Sequence, residues 1–391
     1  MSTTEYRILT PTGWRGRGLG EVTGEPEEPD RESLVRGAYI PSAATTGPLI
    51  SSWVNQEGNA AGYIQLTTAN THYEGITFWG EVRCRAPGIS FNNCRFAGPN
   101  PDLFVGISGS CFKSYGEGYY HWRADNCLFD PGLWQIERGK VWDINNFVHV
   151  SGIAGGDCEL RWCHIRNVVD GIAWVQNDGI TDPGNTGWNA GGITVPAGQR
   201  FIVVDRCLIE KGKWVCGPIY QAYSWAQSGG GPHCDAFQFN TGRNCWITGT
   251  MLGGPRDSAG YIPWPNDGIN PGNTGLDYSN AAIMLQQEAG VFDSSDPRYV
   301  TNVLIEDNIL GGGVASININ YKNQNALAGC IIRNNKILQR QSDWGLLAQN
   351  GSVISISGGY GWYLAKGSNP SALQCTWQNN TVYETGVLIP F

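Results

Sequence analysis

Ile89-Ser90-Phe91-Asn92-Asn93-Cys94-Arg95-Phe96 sets apolar side chains at alternate positions and then slips by one residue at the Asn-Cys step. Alternation with a period of two is the pattern of a half-buried β-strand, and a one-residue slip is what a sharp corner into a second strand requires. The same frame returns as Trp122, Ala124, Cys127 and Phe129, then as Cys158, Leu160, Cys163 and Ile165, then as Ile202, Val204, Cys207 and Ile209. Cys245, Ile247, Thr250 and Leu252 make a weaker copy. Three more follow: Val303, Ile305, Asn308 and Leu310; Cys330, Ile332, Asn335 and Ile337; and Cys375, Trp377, Asn380 and Val382. The last members of successive copies are 33, 36, 44, 43, 58, 27 and 45 residues apart, so a fixed unit carries loops of variable length, as in a repeat architecture.

A second family of alternating segments lies between the copies: Asn146-x-Val148-x-Val150, Asp170-x-Ile172-x-Trp174, Asp235-x-Phe237-x-Phe239, Ala281-x-Ile283-x-Leu285, Ala315-x-Ile317-x-Ile319 and Ser352-x-Ile354-x-Ile356. Each coil therefore holds several short strands joined by bends. Coils stacked with like residues above like form a parallel β-helix, in which side-chain ladders replace a conventional core. The cysteines fit this scheme as packing devices. Cys94, Cys127, Cys163 and Cys207 share one corner position with Asn308, Asn335 and Asn380, while Cys158, Cys245, Cys330 and Cys375 fill an inward strand position. No Cys-x-x-Cys pair occurs, and Cys158, Cys163 and His164 lack a second ligand cluster, so no metal is expected.

Composition narrows the function. Charged residues make up 15% of the 391-residue chain and Gly numbers 54, against about 25% and about 7% in ordinary globular domains, which disfavours a helix-rich enzyme. A net charge of −8 disfavours electrostatic nucleic-acid binding. No apolar run is long enough to insert in a membrane, and Met1 to Gly20 carries no signal-peptide pattern. Gly16-x-Gly18-x-Gly20 lacks a βαβ context, and no P-loop, Gly-x-Ser-x-Gly or His-Glu-x-x-His string occurs. Residues 1–50 differ from the rest: Asn is absent before Asn55, and an acidic, proline-studded run spans Gly24 to Asp30. They read as a non-helical arm, either a tail or a segment that orders against a partner or caps the body, ahead of a β-helix over 51–391.

The Asn- and Cys-rich coils, with His233-Cys234-Asp235-Ala236-Phe237-Gln238, resemble the right-handed parallel β-helix proteins of the pectate-lyase-like superfamily. Some bacterial and phage members carry a similar His-x-Asp-Gly-x-Gln stretch, where this chain has Ala236 in place of Gly. An arm followed by such a body, without a signal peptide, also resembles minor tail and tailspike proteins of bacteriophages. Covering about residues 50–391, the resemblance implies a right-handed single-stranded β-helix and a virion location in the tail, assembled in the host cytoplasm. It further implies docking to other virion proteins through the arm, contact with host-surface polysaccharide, and a homotrimer. Fold alone does not fix function.

Asp170 and Asp235 hold one place in the second strand family, so stacking at about 4.8 Å makes them neighbours along the axis. Carboxylates that close push one pKa up, which makes an acid and a base, and about 5 Å is the separation used by retaining glycosidases. His233 faces the same way and suits a proton shuttle; Asn146 holds the same ladder position on the coil below, with His149 nearby. The structural alternative is that both aspartates accept backbone N–H bonds at turns and His233 is a hydrogen-bonded core residue.

Trp214, Tyr220, Tyr223 and Trp225 crowd one loop beside Gly229-Gly230-Gly231; such rings either stack on sugars or bury as a satellite cluster. Trp174 to Trp188 and Trp264 to Leu276 are near-identical loops containing Asp178 and Asp267. Stacking sets them about 10 Å apart on one flank, where they serve turn chemistry or a polar ligand such as glycan. Their oxygens suit calcium, but no EF-hand spacing is present, so no cofactor is expected. Two functions follow: a virion recognition protein for polysaccharide, or a polysaccharide lyase or glycoside hydrolase using Asp170, Asp235 and His233.

Overall fold

The repeat from Ile89 onward forms the wall of a right-handed parallel β-helix. The structure, a computed structural model, describes residues 41–103, 109–114, 119–140, 150–177, 188–190, 193–210, 235–254, 281–286, 300–311, 315–320, 329–337, 363–364, 375–383 and 386–389. Each coil contributes one strand to each of three parallel sheets. Sheet 1 runs from Val54–Glu57 to Thr381–Val382, sheet 2 from Tyr63–Leu66 to Tyr363–Leu364, and sheet 3 from His72–Glu74 to Thr376–Gln378.

Register follows the sequence frame. In sheet 3 Phe91 pairs with Ala124, then Leu160, Val204, Ile247, Ile305, Ile332 and Trp377 follow one above the next. Across the corner, in sheet 1, Phe96, Phe129, Ile165, Ile209, Leu252, Leu310, Ile337 and Val382 stack likewise. These inward ladders are the core. Phe78, Phe96 and Phe129 form a ring stack, with centroids 5.1 Å and then 4.6 Å apart.

The corner is built twice over. One residue per coil takes positive φ: Gly75, Asn93, Asn126, Trp162, Arg206, Gly249, Asp307, Asn334 and Asn379, all between 52° and 64°. Gly, Asn and Asp enter that region most readily, which explains their dominance. The next residue turns inward as Cys94, Cys127, Cys163, Cys207, Thr250, Asn308, Asn335 or Asn380, all buried. Each satisfies a backbone carbonyl that the bend leaves over: the Cys127 thiol donates to Asp125 O at 3.2 Å, and Asn308 Nδ2 to Ile247 O at 2.9 Å.

Four expectations are revised. One further bend precedes the first copy, because Gly75-Ile76 replaces the Asn-Cys pair there, with Tyr73 under Phe91 and Phe78 under Phe96. In sheet 2 it is Ile153, not Val148, that pairs with Ile172; Val150 pairs with Gly109. Gly152 and Gly171 fix this offset: a Cβ on Gly152 would lie 2.6 Å from Gly171 O and 2.4 Å from the Ile165 side chain, so only glycine fits between the coils. A register shift also sets Val175, rather than Trp174, opposite Phe239. At the last coil Leu364 lies opposite Ile319, the place expected for Ile356; Ser352 to Ile356 lie outside the described residues. Elsewhere sheet 2 follows the sequence frame: Ile172, Phe237, Ile283 and Ile317 stack in line.

Two additions dress the outside. A hairpin of Trp188–Ala190 and Ile193–Val195 lies over sheet 3, with Val195 packed on Phe201, Val203, Trp246 and Leu304. Residues 41–53 run along the bend against the direction of coiling: Gly47 N–H donates to Trp162 O at 2.7 Å, Leu49 N–H to Asn93 Oδ1 at 2.9 Å, and Trp53 Nε1 to Asn93 O at 3.1 Å. Among the described residues no helix is long and apolar enough to cross a membrane.

Candidate functional site

Asp170 and Asp235 meet as the stacking predicts. Asp235 N–H donates to Asp170 Oδ1 at 2.8 Å, and Gly171 N–H donates to Asp235 O at 3.0 Å. Both side chains are buried, at 2% and 0% exposure. The Asp170 carboxylate thus caps a backbone donor of the next coil, the role that aspartates at strand edges commonly fill. Trp174 lies in the strand Ile172–Asn177. Asn146, His149, Asp178, Trp214, Tyr220, Tyr223, Trp225, His233, Trp264 and Asp267 lie outside the described residues.

The outer face of sheet 3 holds a set of side chains that alternation turns away from the core. His72, Ser90, Arg123 and Glu159 stand on successive rungs, flanked by Glu74, Asn92, Asp125 and Arg161 two residues on. The first ladder then changes character to Val203, Trp246 and Leu304, all buried. That change coincides with the covering hairpin. The first four coils therefore present an open polar ladder, and the next three bury an apolar one.

The polar ladder is held rigid by cross-links. Arg123 Nε donates to Asp125 at 2.7 Å, Arg161 to Glu159 at 3.2 Å, Asn92 Nδ2 to Glu74 Oε1 at 3.3 Å, and Asn126 Nδ2 to Asn92 Oδ1 at 3.2 Å. Both arginine side chains keep about a third of their surface exposed, at 32%. Next to them His121 stacks on Phe201, with centroids 4.5 Å apart, and its Nδ1 lies 2.8 Å from Asp157 Oδ1 and its Nε2 3.5 Å from Glu159 Oε1. Burial opposes charge on this ring, yet the hydrogen bonds and charges of Asp157 and Glu159 outweigh it and raise its pKa to about 9. Burial likewise works against the Glu159 charge, but His121 and the two arginines hold its pKa below the usual value. A groove of about 190 Å³ opens here, lined by Pro87, Gly88, Ile89, Ser90, His121, Trp122 and Arg123.

Sequence reasoning passed over this face because it followed the apolar members of each copy. The signal lay in the residues between them: Ser90, Arg123 and Glu159, then Val203, Trp246 and Leu304, mark where the surface is open and where it is covered. Among the described residues no three His, Cys, Asp or Glu side chains cluster as a metal site. No protein-family model, curated protein or solved structure matches the chain.

Proposed function

We propose that this chain is a virion component of the bacteriophage tail or tailspike kind, which engages host-surface polysaccharide along the open outer face of sheet 3. The polar ladder over the first four coils carries the proposal. A rigid surface whose groups recur every ~4.8 Å offers an extended polymer the same hydrogen-bonding partners at fixed intervals, and solenoids bind extended ligands along such faces. The arginines and carboxylates are already paired with one another, so they present oriented groups without unpaired charge. That suits a hydroxyl-rich, weakly charged ligand better than a strongly ionic one. On this reading the arm of residues 1–50 is the part that docks to other virion proteins.

The test is co-sedimentation with cell-envelope polysaccharide from candidate hosts. Arg123→Ala with Arg161→Ala should weaken binding about tenfold or more, as expected from the loss of two charged hydrogen-bonding groups, while leaving the circular dichroism spectrum intact. Equal binding by wild type and double variant would overturn the assignment to this face. A second reading, cleavage of the polymer, has one observation in its favour: Asp170 and Asp235 are adjacent across two coils. New reducing ends or unsaturated uronates that vanish in Asp170→Asn and Asp235→Asn would support it.

A further inference from the structure

We infer that Ser90, His72 and Glu74 form a hydrolytic site for carboxylic esters. Ser90 stands directly opposite His72 on the neighbouring coil, and His72 Nδ1 lies 2.9 Å from Ser90 Oγ. The other ring nitrogen, Nε2, lies 3.8 Å from Glu74 Oε2. Glu74 follows His72 by two residues and so shares its face of the strand, and its second oxygen is held by Asn92 Nδ2 at 3.3 Å. The order is hydroxyl, imidazole, carboxylate and an amide that steadies the carboxylate. That is the set of roles an activated serine needs: a base in hydrogen-bond reach, and an acid that selects the tautomer with Nδ1 free to accept. The carboxylate contact is longer than a hydrogen bond, and such contacts tighten when substrate excludes water.

The second observation is the groove. It is lined by Ser90, by Arg123, the residue opposite Ser90 on the next rung, and by His121. Ser90 and Arg123 therefore line one cleft, and the guanidinium, though bound to Asp125, brings N–H donors to the place where charge on a carbonyl oxygen would develop. At about 190 Å³ the cleft has room for an acyl group. An O-acyl ester on a sugar fits both the cleft and the open ladder around it; that choice of natural substrate rests on the polysaccharide reading, whereas the chemistry does not.

The step balances without a co-reactant other than water. Ser90 Oγ bonds to the carbonyl carbon as its proton passes to His72 Nδ1; the ester C–O bond then breaks, and the same proton goes to the departing alcohol oxygen. Water next attacks the acyl-serine, gives a proton to His72, and the carboxylic acid leaves as Ser90 recovers that proton.

The experiment uses the full-length chain with p-nitrophenyl acetate and, separately, a fluorophosphonate that labels activated serines. Turnover should fall to the buffer rate in Ser90→Ala and by about 100-fold or more in His72→Ala, the usual range for a lost general base. The label should map by peptide mass to Ser90 and vanish in Ser90→Ala. Glu74→Gln, a positioning change, should lower kcat and shift the pH profile with little effect on KM. Circular dichroism of each variant separates loss of chemistry from loss of fold. Absence of wild-type turnover, turnover that survives in a folded Ser90→Ala chain, or a label on another residue would each overturn the proposal. A chain that hydrolyses the small ester but ignores polysaccharide would keep this site and discard the polymer-binding face.

Discussion

Asn335 and Asn380 are joined by a hydrogen bond between their side-chain amides on neighbouring coils: Asn335 Nδ2 donates to Asn380 Oδ1 at 2.9 Å. The same oxygen accepts Asn335 N–H at 3.0 Å, and Asn308 repeats both bonds to Asn335 Oδ1, at 3.0 and 3.1 Å. A corner residue here serves three coils at once, since Asn335 Nδ2 also reaches Ile305 O at 2.9 Å.

Asn335→Ala should therefore cost more than one hydrogen bond. It strands buried donors on Asn308 and an acceptor on Ile305, each worth about 1–3 kcal/mol when left unsatisfied. The expected loss is on the order of 3 kcal/mol or more, read from urea denaturation. A loss below about 1 kcal/mol would show that water or a neighbour replaces the ladder.

Asp170 gives a second, graded prediction. Asp170→Ala removes the acceptor for Asp235 N–H and should destabilise by about 1–3 kcal/mol. Asp170→Asn keeps an oxygen in place and should cost clearly less. Equal losses from the two changes would indicate that the charge, not the acceptor geometry, matters at this buried position.

His121 makes stability depend on pH. Its folded pKa of about 9 lies above the unfolded ~6.5, so the protonated ring binds more tightly in the native state. The stabilisation is full below about pH 6.5 and is lost as pH rises through 9. Its size is on the order of 3 kcal/mol. The melting-temperature gap between wild type and His121→Gln should be wide at pH 6 and narrow at pH 10; a gap that does not change with pH would discount the Asp157 and Glu159 partnership.

The ten described thiols should be silent in the native chain. Among the described residues ten cysteines are free, and nine of them are buried. Burial pushes Cys330 up to about 12 and the half-buried Cys375 to about 11, and raises Cys111, Cys158 and Cys245 well above their ordinary value. Enclosed thiols react slowly with Ellman's reagent. Denaturation without reductant should then release at least the ten; a smaller number would reveal disulfides.

How far the fold was legible depended on where periodicity was unbroken. The frame from Ile89 to Val382 predicted each rung of sheet 3 and sheet 1, because every coil repeats the same inward residues across the same bend. It failed where glycine did the work. Gly75 replaces Asn at the first bend and hid that turn of the helix, and Gly152 sets the offset in sheet 2 by letting backbones approach, a constraint that hydrophobic alternation does not express. Asp170 and Asp235 were legible as neighbours because ladder position is a sequence property. The open face was less so: Ser90 and His72 are ordinary polar residues until pairing sets them opposite each other. Trp188 to Val195 gave no hint that it covers sheet 3, since only the apolar character of Val203 and Trp246 betrays a lid from another part of the chain.

Residues 41–53 impose an order on biosynthesis. Leu49 finds its acceptor on the second coil, but Gly47 must wait for Trp162, at the corner that closes the fourth. Closing so long a loop early would cost entropy that no contact yet offsets. Gly47 therefore docks only after the fourth corner exists, and a chain truncated before Trp162 has nowhere to anchor it.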